Sequence, residues 1–101
     1  MKFNGDPYYS RSSRRVYFSV KVEWYGWKYE IPFYLETVFS DGKIARRRME
    51  AVNPVDNYSI DPRPYYVNPD PNEPSEGAIP VKVRLRREDM RVTDEKYVTL
   101  R

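Results

Sequence analysis

Arginine and tyrosine are the side chains of this sequence with the most chemistry to offer. Twelve Arg stand beside six Lys, and ten Tyr occur in 101 residues. The arginines cluster as Arg11, Arg14 and Arg15, as Arg46, Arg47 and Arg48, and as Arg84, Arg86 and Arg87. A guanidinium pairs bidentately with phosphate or carboxylate and stacks on flat rings. Tyrosine rings offer faces for unstacked bases. Classical catalytic groups are missing. With no His and no Cys, the usual nucleophile–base pairs and the commonest neutral metal ligand are gone. Carboxylates alone could do acid–base work, but no spacing singles out a pair. In "NPDPNEP", Asp70 and Asn72 have calcium-loop spacing. The next ligand position is Pro74, no Gly follows, and the closing Glu position holds Val81, so the EF-hand pattern fails. Four Gly are too few and too scattered for a phosphate-cradling loop. The chain is therefore not expected to be an enzyme, and no cofactor or metal is expected.

Composition narrows the setting. The length fits one domain over 1–101 with a modest core. Aromatic residues make up 16% of the chain, which lets a few large rings fill that core. The absence of cysteine fits a reducing, cytoplasmic compartment or a virion assembled there. The amino terminus carries no apolar run, so secretion is not expected. No stretch approaches the ~18 apolar residues of a membrane span. Charge-rich composition without Cys or Gln leans toward a thermophilic source.

Positioning these side chains falls to strands. Val16, Phe18, Val20, Val22 and Trp24 alternate with Tyr17, Ser19, Lys21 and Glu23, which predicts a half-buried strand. Tyr25–Gly26 is a candidate turn. A second alternating run, Trp27 to Phe39, follows it, and the two read as one long hairpin. Pro32 interrupts the second run, which must be bulged, bent or at an edge there. "DG" at 41–42 is a strong hairpin signal, so 44–52 is read as a third strand rather than a helix. A two-residue loop would put Arg46 and Arg48 on the apolar face. A three-residue loop, Ser40 to Gly42, instead sets Phe33 against Met49, Ile31 against Ala51, Val38 against Ile44 and Glu36 against Arg46. This register is preferred. It leaves Arg47 opposite Leu35, a conflict that a bulge would relieve.

Residues 53–80 hold seven of the nine prolines and a net charge of −4, and read as a long acidic loop. Val81, Val83 and Leu85 alternate with Lys82, Arg84 and Arg86 as a fourth strand. Residues 96–100 supply a short fifth. The expected fold is all-β: a small five-stranded barrel or sandwich. It comprises an N-terminal three-stranded meander, the Pro-rich loop and a C-terminal strand pair, with 1–14 as a flexible basic arm.

On strands, consecutive arginines point to alternate faces. Tyr17, Lys21, Tyr34, Arg46, Arg48, Arg84 and Arg86 are thus expected on polar faces, as an Arg/Tyr surface for single-stranded nucleic acid. The same residues would also serve simply to wet a sheet and guard its edges. The competing reading is a protein-binding or assembly module, such as a viral or phage structural or inhibitor protein, in which Tyr65 and Tyr66 of the Pro-rich arm touch a partner or a second copy of the chain. No membrane partner is expected.

Overall fold

The computed structural model describes residues 1–23, 30–63 and 71–101. It is all-β, with no helix, and its strands form two sheets. Among the described residues the strands are β1 (Lys2–Phe3), β2 (Tyr8–Ser10), β3 (Arg15–Lys21), β4 (Ile31–Phe39), β5 (Ile44–Ala51), β6 (Val55–Ile60), β7 (Pro80–Arg86), β8 (Val92–Tyr97) and β9 (Thr99–Leu100). In the first sheet β3 is central. One of its edges is lined by β1 and β2 with a gap between them, the other by β6, and β9 runs parallel to β2. The second sheet has the order β5-β4-β7-β8, all antiparallel.

The apolar stripes read from the sequence face inward. Val16, Phe18 and Val20 of β3 meet Phe33 and Leu35 of β4 and Val83 and Leu85 of β7 in one core. Aromatic rings join the sheets: Phe18 stacks on Tyr58 at 5.0 Å, and Phe33 meets Tyr58 edge-on at 5.8 Å. Each such pair adds about 0.5–1.5 kcal/mol beyond its buried area.

Several expectations need correction. β3 and β4 do not form a hairpin, because they belong to different sheets. Both carry a continuous apolar stripe, and in opposing sheets the two stripes cover each other. In one hairpin they would face the same way and need a further layer. The N-terminal meander is therefore only the β4–β5 hairpin, extended by β7. The candidate turn at 25–26, with Trp24 and Trp27, lies outside the described residues. No closed barrel is formed among the described residues. In place of the five strands expected, the described residues form nine, several of them two or three residues long.

The ends of the chain are also more ordered than expected. Residues 1–14 are not a free arm: β1 and β2 pair with β3, and Phe3 is buried. Residues 53–80 are not all loop, since β6 pairs with β3 along its whole length. Pro54 and Asp56 disguise this strand, as only Tyr58 and Ile60 of its inward row are apolar. Asp56 is used at the corner, where its Oδ2 accepts the amides of Val52 and Asn53 at 2.7 and 3.0 Å and turns the chain between sheets. β8 begins at Val92, well before the expected residue 96.

The β4–β5 hairpin follows the preferred register pair for pair, from Ile31 against Ala51 to Val38 against Ile44. Gly42 takes φ +83, and its amide donates to the Phe39 carbonyl at 2.9 Å, closing the three-residue loop. The ladder shows no bulge at Arg47. β5 is an edge strand, so Arg47 leaves the core sideways, and its Nη1 donates to the Asp61 carbonyl at 3.0 Å. Pro32 is accommodated beyond Tyr34–Arg86, the last β4–β7 pair, where β4 has a neighbour on one side only. No helix of the described residues is long and apolar enough to cross a membrane.

Candidate functional site

The outer face of the second sheet collects five of the seven basic and aromatic side chains singled out above. Register sets Arg46, Glu36, Arg84 and Glu95 in one row across the four strands, and Arg48, Tyr34 and Arg86 in the next. At the centre stands Glu36, fully buried although it points outward. Its Oε1 accepts Arg46 Nε at 2.8 Å, and its Oε2 accepts Arg84 Nη1 at 2.8 Å and Arg86 Nη2 at 3.1 Å. Arg86 Nε lies 3.0 Å from Oε1 without the alignment of a hydrogen bond. Burial alone would push the Glu36 pKa up. Hydrogen bonds from Arg86, Arg84 and Arg46 outweigh it and hold the group at about 2.

The arginines on this face are therefore occupied. Arg84 Nε also donates to Glu95 at 3.0 Å, and Lys82 pairs with the same carboxylate at 3.2 Å. Arg86 Nη1 donates to the Met90 carbonyl at 2.7 Å. Arg48 sits 3.4 Å from both Glu50 and Glu88. Each of the five cations, Arg46, Arg48, Lys82, Arg84 and Arg86, has a carboxylate partner. A phosphate arriving here would have to displace existing pairs.

Tyr17 and Lys21, the other two, lie on the outer face of the first sheet, which differs in kind. Tyr17 stacks on Tyr8 across the β2–β3 ladder, with centroids 4.9 Å apart and planes 11° from parallel. The Arg101 guanidinium lies 4.0 Å from the Tyr8 centroid. Since Tyr17 occupies one face of Tyr8, Arg101 takes the other, giving a column of guanidinium, ring and ring. Opposite Tyr17 on β6 stands Ser59, a short side chain. Hydrogen bonds with Ser13 and Ser59, with the nearby Arg15 charge, hold the Tyr17 phenol below its ordinary pKa. Arg15 Nε donates to Ser59 Oγ at 2.7 Å.

The first sheet and its turns also carry Lys2, Arg11, Arg14, Arg15, Lys21 and Arg101, all exposed; Arg14 lines a separate cleft with Tyr9, Phe39 and Asp61. Among the described residues none of the six is in an ion pair. Asp6, which lines a cleft with Tyr8 and Tyr17, is engaged by Lys96 at 3.2 Å. Arg15 and Lys21 end β3, six residue steps apart, or roughly 20 Å along the strand. Arg11 is legible in the sequence as part of a basic cluster, but neither the Tyr8–Tyr17 stack nor the place of Arg101 on it is. The alternation of Tyr8 and Tyr9 with the β3 pattern was too short to mark a strand, and Arg101 reaches Tyr8 only through the parallel β2–β9 pairing.

Where it is described, the acidic loop runs beside the β4–β5 turn, with Asn72 sharing a cleft with Ile44 and Arg46. Lys43 Nζ donates to the Pro71 carbonyl at 3.0 Å, Ser75 N to Asp41 Oδ2 at 2.8 Å, and Arg63 reaches the carbonyls of Pro74, Ser75, Glu76 and Ala78. These contacts fasten 71–78 to the β4–β5 turn. Tyr65 and Tyr66 lie outside the described residues. Glu30 and Glu50 sit close enough to raise the Glu30 pKa through a shared hydrogen bond and mutual repulsion, but both are exposed and no cleft adjoins them. Compared with protein-family models, curated proteins and solved structures, the chain matches none.

Proposed function

We propose that this domain binds single-stranded nucleic acid on the outer face of its first sheet. The observation that carries the reading is the contrast between the two faces. The arginines of the second sheet are tied to carboxylates. Among the described residues Lys2, Arg11, Arg15, Lys21 and Arg101 of the first sheet have no acidic partner, and the same sheet carries a stack of tyrosines. Unpaired cations release counterions when phosphates replace them, and that release drives binding without regard to sequence. Tyrosine faces add stacking energy for bases already free of a duplex. A flat sheet offers no helix or ribbon to enter a major groove, which favours a single strand over a duplex.

The test is fluorescence anisotropy with a labelled ten-nucleotide single strand at rising salt. Contact with three or four phosphates gives a slope of log K against log salt on the order of −2 to −3. The double charge reversal R11E/K21E abolishes binding, and Y17A weakens it about tenfold or more. R48A, on the second sheet, leaves it unchanged. An absence of binding at low salt, or a loss in R48A equal to that in R11E/K21E, ends this reading.

A further inference from the structure

The edge of β3 shared by β1 and β2 is not continuous. β1 covers Val20 and Lys21, β2 covers Arg15 to Tyr17, and residues 4–7 swing away between them. Gly5 makes that excursion with φ +83. Opposite the break, Phe18 and Ser19 have no strand partner on this side, and only the Asn4 amide reaches the Ser19 carbonyl, at 2.8 Å. A ladder interrupted in this way commonly marks a site where a side chain must be aimed. Here the break opens a cleft of about 280 Å³ at the foot of the tyrosine stack.

Polar groups with nothing to bind line this cleft. Ser19 Oγ is buried and has no hydrogen-bond partner. A buried hydroxyl left unpaired costs about 1–3 kcal/mol, and such a group in a native fold calls for a reason. Asn57, directly across the ladder from Ser19, and Asn4 both line the cleft and are exposed. Their side-chain amides make no hydrogen bond among the described residues. Tyr8 and Tyr17 form the adjoining wall. Aromatic side chains beside two amides and a hydroxyl that make no hydrogen bond among the described residues suit a heteroaromatic ring with donors and acceptors on its edge.

We propose that this cleft is a base-reading subsite. It takes one nucleobase of the bound strand against the tyrosine stack, with Asn57, Asn4 and Ser19 reading its edge. The inference rests on the nucleic-acid reading above and adds sequence preference to it. An amide offers one acceptor beside one donor, the complement of the N6 donor and ring-nitrogen acceptor of adenine. Adenine is the base expected.

The experiment measures anisotropy with ten-nucleotide oligo(A), oligo(C) and oligo(T), and with the corresponding RNA strands, using wild-type protein, N57A and S19A. The DNA and RNA arms show whether a 2′-hydroxyl contributes. Wild-type protein binds oligo(A) about fivefold tighter than the pyrimidine strands, the lower end of what one bidentate amide contact provides. N57A brings the three strands within twofold of one another while keeping the salt slope. S19A, which removes an unsatisfied hydroxyl, loses preference without losing thermal stability. Equal binding of all strands by wild-type protein, a pyrimidine preference, or a preference that N57A and S19A both leave intact overturns the subsite and leaves the binding face standing. No salt-dependent binding to any strand overturns both.

Discussion

Glu36 is the group on which the second sheet's outer face depends, and replacing it with Gln is the sharpest test of that dependence. The carboxylate is fully buried and receives hydrogen bonds from three guanidiniums at 2.8 to 3.1 Å. Glu36→Gln keeps the shape, removes the charge, and leaves Arg46, Arg84 and Arg86 crowded around a neutral amide that can accept from them only through one oxygen. The folded-state pKa of about 2 lies below the ordinary value of 4.5. Folding therefore favours the ionised form, and the contribution is complete once pH exceeds the unfolded value. It amounts to about 3 kcal/mol at neutral pH, in line with the cost of removing one partner from a buried ion cluster. As pH falls from about 4.5 toward 2 the unfolded chain takes up its proton first, and the contribution is lost. Urea unfolding at pH 7 should separate wild type from E36Q by about 3 kcal/mol, and by roughly half that at pH 3. A gap under about 1 kcal/mol at pH 7, or one that does not narrow on acidification, would refute the account of Glu36 as an ionised anchor.

Two further predictions concern the backbone and the exposed edge. Gly42 and Met90 both close hairpins with positive φ, at 83° and 70°. A Cβ on Gly42 would meet nothing within 4 Å, so G42A costs only the conformational penalty, about 1 kcal/mol, whereas M90G relieves strain and gains about 0.5–1 kcal/mol; urea midpoints moving in the same direction for both would contradict this. Arg47 places an inward-pointing charge on the edge strand β5, a device that discourages pairing with another chain. R47L completes an apolar row with Ala45, Met49 and Ala51, and its elution volume should fall as concentration rises, while wild type shows no such shift; a variant that stays monomeric at millimolar concentration would remove that role from Arg47.

The alternation of apolar and polar residues marked β3, β4, β5 and β7 and the wet face of each, because side chains alternate along an extended chain and the apolar ones must be buried, whereas β1, β2, β6 and most of β8 carried no such signal. The sequence also determined the β4–β5 register, since "DG" after Ser40 permits few loops and only one of them pairs Glu36 with Arg46. What it could not supply was the partner of each strand. The two longest apolar stripes looked like a hairpin because they are adjacent in sequence, yet they lie in opposite sheets, where each buries the other. β6 stayed hidden because a strand that covers an edge needs only two inward apolar residues. The same ignorance of partners hid which of the candidate cations are already paired. Along the chain only Arg46 can be matched to Glu36, while Arg84 and Arg86 look like free cations, and only the sheet order β5-β4-β7 brings all three onto one buried carboxylate. The stack of Arg101, Tyr8 and Tyr17 joins residues up to 93 positions apart, through a parallel pairing that no local pattern encodes. Alternation is a local property of the backbone and is legible in the chain. Which charges meet is decided by long-range strand pairing, and only the folded molecule holds that information.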